Sequence, residues 1–587
     1  FNVDSIRYTS DIDLWHSEDP RIKPHERIWF KENVEKLYQS IYYLDEKKFV
    51  QLATREIQDV QITDNPYYTI GYTDKPYLKE ITWNYFFKDL YKINLYDGSN
   101  KLIVSKIEEN GNLSPLGKFV CYFNKKHWYL YDCKSDSTIN LTSRLEFPFY
   151  DEDHDLPKEP SSYGLAGWLD NDEAVLINDK YDFWKFYTGR GYGFLNQTIA
   201  EGRTSNYTFR IYNLDKDKKS FHPDETLLLS AFDQKNKTLS VLKAQLSILG
   251  FEIMLEEKKK IQIITKSKNS NKLLFTKESY EEFPDLWLAD TNFLYTKKIS
   301  DANPEMKDFE WGSSQLVEWK SYYGDSLQGY IVKPEGYNPQ KRYPVVVYFY
   351  ERMSDNFHNF HQPRTGNLPI FQEYNSDGYI MFVPDVIYKI GDPGQSSFNC
   401  IVPGVRKLVD MGIADSNAIG IWGHSWSGYQ TCWIITKTDL FSAAVAGAPV
   451  GNMTSAYSGI RLGSGLARQF QYEMAQSRIG GTLWDSLDSY IRNSPIFHSQ
   501  SVKTPLLIEF GDVDDAVPWE QGVELYLAMR RLNKNCIMLQ YRNEVHVPRK
   551  YQNRLDYAVR MKEFFDHYLK NKPAPEWIVN GIRYKGN

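Results

Sequence analysis

Hydrophobic patterning changes character near residue 310. Before it, helical periodicity is scarce, and short stretches of alternating bulky and polar residues recur at 89–93, 128–132, 209–213 and 285–288, each running into a polar turn. Alternation with a period of two predicts half-buried β-strands. Residues 167–172 followed by 182–184 repeat the arrangement. Spacings of roughly 40 to 80 residues fit units of four strands with insertions, in a β-propeller or an irregular β-sandwich. Beyond 310, continuous apolar runs predict short buried strands at 418–422, 505–510 and 536–541. Residues 430–436 read as the apolar start of a helix. Residues 519–532 carry Val523, Leu525, Tyr526, Leu527, Met529 and Leu532 at helical intervals. Strands with helices between them predict an α/β domain built on a parallel sheet. The expected division is therefore a β domain over 1–310 and an α/β domain over 311–587.

The candidate chemistry sits at the ends of those buried strands. After 418–422 comes Gly423-His424-Ser425-Trp426-Ser427. A serine on a sharp strand-to-helix turn, with small residues two before and two after it, is a nucleophile elbow. Gly423 and Ser427 meet that steric demand around Ser425, whereas Ser427 would be flanked by Ser425 and Tyr429. One such turn is a weak signal in a chain of this length, but its partners strengthen it. Asp512, Asp514 and Asp515 follow the 505–510 strand, and Glu544 and His546 follow the 536–541 strand. Open α/β sheets place their sites just past the C-terminal strand ends. The order serine, acid, histidine suits a base held in its tautomer by a carboxylate. His424 is expected to make a structural hydrogen bond, and Glu544 to support His546 or to stand as a solvated loop acid. His567 is expected on a helix face.

Length and composition narrow the class. At 587 residues the chain exceeds the size at which one core stops growing. Aromatic residues make up 15%, which suits Tyr- and Trp-rich propeller strands as well as any large core. A net charge of −6 argues against broad nucleic-acid affinity. Lys258 to Lys260 reads as a solvated turn. Five cysteines (Cys121, Cys133, Cys400, Cys432, Cys536) are too few, and odd in number, for a disulfide framework. Cys121 and Cys133 could face each other across a hairpin, but free buried thiols are the expected state. No pair has metal-ligand spacing, so neither metal nor organic cofactor is expected. No apolar stretch reaches membrane-spanning length. The first residue is Phe1, which suggests a processed or trimmed chain whose leader is out of sight.

Trp422-Gly423-His424-Ser425-Trp426-Ser427-Gly428-Tyr429 resembles the Trp-Gly-x-Ser-x-Gly-Gly-Tyr elbow of the prolyl oligopeptidase family of serine peptidases, nearest its dipeptidyl-peptidase IV branch and bacterial relatives. Residues 341–350 are similar to the family strand closing on an oxyanion-hole tyrosine. Asn493-Ser494-Pro495 with 504–508 is similar to the approach to its acid loop, and 564–569 to its closing helix. Ser114-Pro115-Leu116-Gly117-Lys118 resembles a turn of propeller blades. The resemblance covers 313 to about 581 and implies a β-propeller followed by an α/β-hydrolase domain. It implies a triad of Ser425, Asp514 and His546, and an oxyanion hole of the Tyr350 hydroxyl and the Trp426 backbone N–H. A substrate pocket at Val450, Met453, Tyr457 and Val517, peptide substrates, a homodimer and a periplasmic or secreted setting are implied too. Family propellers have seven or eight blades, and roughly 300 residues hold about six at most, so this propeller is expected to be incomplete at its N-terminal side.

The chain departs from the family pattern in places. Ser427 and Val547 stand where glycine is usual. Ala516 replaces an asparagine that holds the substrate backbone, and 448–457 lacks the paired tyrosines of the proline pocket in register. The resemblance therefore carries the chemistry further than a post-proline preference. Glu80, Glu201, Glu281 and Glu282 are candidates for binding a free amino terminus, and no spacing rule selects among them. The expected activity is release of N-terminal di- or tripeptides. The alternatives are an esterase or other acyl hydrolase on the same triad, and a propeller interaction protein that has lost catalysis.

Overall fold

Strands covered on both faces must be apolar on both sides, and the second half of the chain is built that way. The computed structural model of the protein describes residues 11–189 and 191–584. Its largest parallel element contains β1 (Ser313–Lys320), β2 (Ser326–Lys333), β3 (Tyr343–Tyr348), β4 (Ile380–Pro384), β5 (Ala414–His424), β6 (Ala443–Gly447), β7 (Leu506–Gly511) and β8 (Cys536–Tyr541). These form one sheet in the order β1-β2-β4-β3-β5-β6-β7-β8. β2 pairs antiparallel with β1 and β4, and every later pairing is parallel. β4, β6 and β7 are buried throughout. Alternate side chains feed two cores. Val345 and Val347 pack with Val405, Tyr429 and Leu525 of α1 (Pro393–Asp410), α2 (Trp426–Ile434) and α3 (Glu520–Arg531). Val346 and Trp422 pack on the other face with Tyr557, Met561 and Phe565 of α4 (Tyr551–Lys570). This is an α/β-hydrolase sheet.

The strands expected at 418–422, 505–510 and 536–541 fall in β5, β7 and β8, and the helix expected over 519–532 is α3. The strand expected over 341–350 stops at Tyr348. Beyond it the Tyr350 carbonyl turns to the Tyr388 hydroxyl at 3.2 Å and the Gln430 amide at 3.1 Å, in place of a ladder partner. Tyr350 therefore stands in a loop, two residues past the strand.

The first half is a succession of antiparallel sheets. Three have four strands each, within 59–107, 112–140 and 165–196. An eight-stranded sheet over 207–298 consists of two four-stranded meanders joined by a single parallel pairing, Leu239 with Lys260. A hairpin of Ser40–Tyr43 and Lys48–Gln51 precedes them. Consecutive sheets pack face to face. Val120 and Tyr122 meet Ile70 and Leu90, Trp128 and Leu130 meet Val175 and Trp184, and Leu176 and Phe183 meet Leu229 and Leu242. The count is five four-stranded units and a hairpin, within the six that length allowed. All five cysteines are free, four of them buried. Among the described residues no helix is long and apolar enough to cross a membrane.

Candidate active site

β5 ends at His424 and α2 begins at Trp426, so the whole strand-to-helix turn falls on Ser425. Ser425 has φ 60° and ψ −116°. A side-chain-bearing residue held there stores on the order of 1–3 kcal/mol of strain, which the packed strand and helix on either side sustain. A Cβ at Gly423 would stand 2.3 Å from the Ser427 carbonyl oxygen, so only glycine fits two residues before the turn. Ser427, where glycine is usual, accommodates its extra hydroxyl locally: Oγ accepts from the His424 amide and donates to the His424 carbonyl, both at 2.9 Å. From 418 to 436, Ser425 alone is not buried.

The loops after β7 and β8 bring an acid and a base together. His546 Nδ1 donates to Asp514 Oδ2 at 2.8 Å, and the Asp514 side chain is wholly buried. Asp514 Oδ1 accepts the amides of Ala516 and Val517, both at 2.8 Å. Its neighbours face elsewhere. Asp512 accepts from Gln540 and the Asn543 amide, and Asp515 from the His546 amide at 3.4 Å. Glu544 is buried and accepts from the Arg549 and Lys550 amides and Asn553, which fixes the loop carrying His546 at the start of α4. Burial would raise its pKa, but those hydrogen bonds outweigh it and hold the carboxyl below its ordinary value. His567 bonds the Lys572 carbonyl on an exposed helix end. Among the described residues Ser425 makes no hydrogen bond to His546. The ring centroid of His424, the residue before Ser425, is 4.9 Å from that of His546.

Tyr350 and Trp426 belong to one polar network. Gln476 Nε2 donates to the Tyr350 hydroxyl at 3.2 Å. Trp426 Nε1 donates to Tyr388 Oη at 3.1 Å, and that hydroxyl meets the Tyr350 carbonyl. Val450, Met453, Tyr457 and Val517 are all buried in the core on this face of the sheet, Met453 completely. The Tyr457 hydroxyl bonds Glu473. Of the carboxylates proposed for an amino terminus, Glu80 and Glu282 are paired with Lys106 and Lys259. Glu281 accepts the Ser314 amide at 3.4 Å, and Glu201 bonds Ser205.

The ring of His424, expected to make a structural hydrogen bond, is buried against His546 and interacts with its backbone. Both oxygens of Glu509 on β7 are buried without a hydrogen-bond partner among the described residues. His424 Nδ1 and Glu509 Oε2 are 3.9 Å apart, beyond hydrogen-bond length. Gly447 makes room for the pair, since a Cβ there would be 2.4 Å from His424 Nδ1. Burial, then the charges of Asp514 and Glu544, push the Glu509 carboxyl up to about 8. The folded protein thus holds a proton that the unfolded chain sheds at the ordinary carboxylate pKa of about 4.3. Stability from this group is complete below that pH and declines as pH rises towards the folded value, by up to ~1.4 kcal/mol per unit. Glu509→Gln, with no proton to lose, is expected to remove that slope. Urea denaturation near pH 5 and near pH 8 checks it; equal slopes in both proteins would refute it.

Residues 389–572 match the prolyl oligopeptidase family. An uncharacterized peptidase, YuxL, of Bacillus subtilis (strain 168) is 24% identical over 290 residues, covering 46% of this chain and 42% of the relative. Dipeptidyl-peptidase 5 of Porphyromonas gingivalis is 23% identical over 316 residues, covering 51% of this chain and 44% of the relative. The chain thus spans less than half the length of these curated relatives. In fold it is similar to a puromycin-hydrolyzing peptidase of Mycobacterium tuberculosis, with a TM-score of 0.60 at 13% identity over 90% of this chain and 82% of that one. Residues 389–572 are thus similar to the prolyl oligopeptidase family of serine peptidases.

Proposed function

We propose that the chain hydrolyses short peptides through an acyl-enzyme on Ser425, with His546 as base and Asp514 as its orienting acid, and that it releases N-terminal di- or tripeptides. The observations that carry this are the 2.8 Å contact of Asp514 with His546 and a serine held at φ 60° at the end of β5. Ser425 Oγ attacks the peptide carbonyl and passes its proton to His546 Nε2. Asp514 holds the Nδ1 proton and stabilises the imidazolium. His546 then protonates the leaving amine, and water repeats the sequence to free the acid. The oxyanion is received by the Trp426 backbone N–H and the Tyr350 hydroxyl. Because that hydroxyl already accepts from Gln476, its own proton is free to point at the developing charge.

Tyr350→Phe is expected to lower kcat by about 10²–10³-fold with little change in KM, because one oxyanion donor acts in the transition state alone. Steady-state kinetics on a peptide anilide checks this, and an unchanged kcat would remove Tyr350 from the hole. The five four-stranded units and the hairpin would form the blades of a propeller over 1–310, with the hydrolase domain at 311–587. The first-half loop carrying Asp155 reaches Tyr388, which supports a preference for short peptides over extended chains. The test is mass spectrometry of a short-peptide library digested by the protein, with Ser425→Ala as control. Products two or three residues long from free amino termini support the proposal, and internal cuts indicate an oligopeptidase. Absence of Ser425-dependent cleavage refutes it and turns attention to esters.

A further inference from the structure

Arg478 is nearly inaccessible, with its side chain 3% exposed, and takes no part in the chemistry above. A buried guanidinium is tolerated only when its donors are matched, and these are. Nε and Nη2 donate to Asp155 Oδ1 at 3.1 and 2.8 Å. Nη2 also donates to Glu351 Oε2 at 3.0 Å, and Nη1 to the Gln476 carbonyl at 2.8 Å. The guanidinium carbon lies 3.9 Å from the centroid of the Tyr388 ring.

Each of these partners leads to the oxyanion hole. Glu351 follows Tyr350 in the chain and accepts from Gln476 Nε2 at 3.2 Å, and the same nitrogen donates to the Tyr350 hydroxyl. The Tyr388 hydroxyl joins the Tyr350 carbonyl to the Trp426 indole. Asp155 belongs to the first half of the chain, 323 residues away in sequence. Its second oxygen accepts the Tyr388 amide at 3.2 Å, and nearby Asp153 pairs with Arg352 at 3.2 Å.

We propose that Arg478 is a positioning residue: it uses the first-half carboxylate Asp155 to hold the Tyr350 hydroxyl and the Trp426 turn in register with Ser425, so that the oxyanion hole is complete only when the two halves are docked. This rests on the reading of Tyr350 as an oxyanion donor. A planar fork can bind Asp155, Glu351 and the Gln476 carbonyl at once, which a lysine ammonium on a flexible stem cannot reproduce. Loosening the fork displaces a donor that matters in the transition state, so the loss belongs in kcat and not in KM.

The test uses the full chain, with p-nitrophenyl acetate as substrate and a fluorophosphonate probe that labels an activated serine. Arg478→Lys is the direct variant. Asp155→Asn is the milder one, since it leaves Arg478 paired with Glu351. Both are expected to lower kcat about 10–100-fold with KM changed less than about threefold. In a Tyr350→Phe background the same substitutions should cost clearly less, the remainder being the Trp426 turn alone, because residues acting through one group are not additive. Equal losses in both backgrounds, or a change confined to KM, would overturn the positioning role while leaving the active-site reading intact. Failure of the probe to label Ser425 in the unaltered protein would overturn both.

Discussion

Ser425→Ala is expected to lower turnover of peptides and esters about a million-fold, leaving only what binding and the oxyanion hole supply. The structure makes this a clean substitution. Alanine keeps the Cβ and so bears the same strain at φ 60° as serine does. Ser425 is the one residue of the turn that is not buried. Thermal stability should therefore stay within about 0.5 kcal/mol of the parent, and substrate should still bind. Fluorophosphonate labelling with single-turnover kinetics would measure the loss. Retention of more than about one part in a hundred of the activity would place the nucleophile elsewhere. Ser427 could not serve, because its hydroxyl is buried and spent on the His424 amide and carbonyl.

The parts of this site that could be read in the sequence are those that local physics dictates. An apolar run ending in polar residues marked the 418–422 part of β5, because a strand buried in a covered sheet has no polar positions until it leaves the core. Ser425, Asp514 and His546 were visible for the same reason, each standing just past such a run. Contacts made across the fold leave no periodic trace. Nothing near Arg478 announces Asp155, which approaches it only when the halves of the chain meet. Glu509 reads as one polar letter in a strand, and its burial against His424 depends on glycine at 447 in the neighbouring strand. Tyr350 was expected to close a strand, but its position beyond the end of β3 reflects carbonyl partners on 388 and 430 that the strand pattern does not contain. In the first half, alternation located strands such as His127–Asp132. Which strands pair within each meander, and where one sheet stops, is set by hydrogen bonding across the fold and by packing between sheets.

Asp514→Asn is expected to lower kcat about ten-thousand-fold, and its hydrogen bonds explain why so conservative a change is so costly. Asp514 Oδ1 accepts two amides, from Ala516 and Val517. An asparagine must turn its carbonyl oxygen to those donors, which leaves its NH₂ facing His546 Nδ1. That nitrogen can then only accept, so the ring proton moves to Nε2, and Nε2 can no longer take the proton of Ser425. The fold should be nearly unaffected, because every donor on the loop still finds an acceptor. Asp515→Asn provides the contrast. Among the described residues its carboxylate accepts a hydrogen bond from the His546 amide, at 3.4 Å, and an asparagine oxygen can accept that bond as well, so kcat should change by no more than about fivefold. Asp512→Asn keeps its acceptor for the Asn543 amide and should be milder still. Comparing kcat for the three variants across pH assigns the acid without reference to any relative. A larger loss from Asp515→Asn than from Asp514→Asn would place the orienting carboxylate one residue further on and would contradict the tautomer argument.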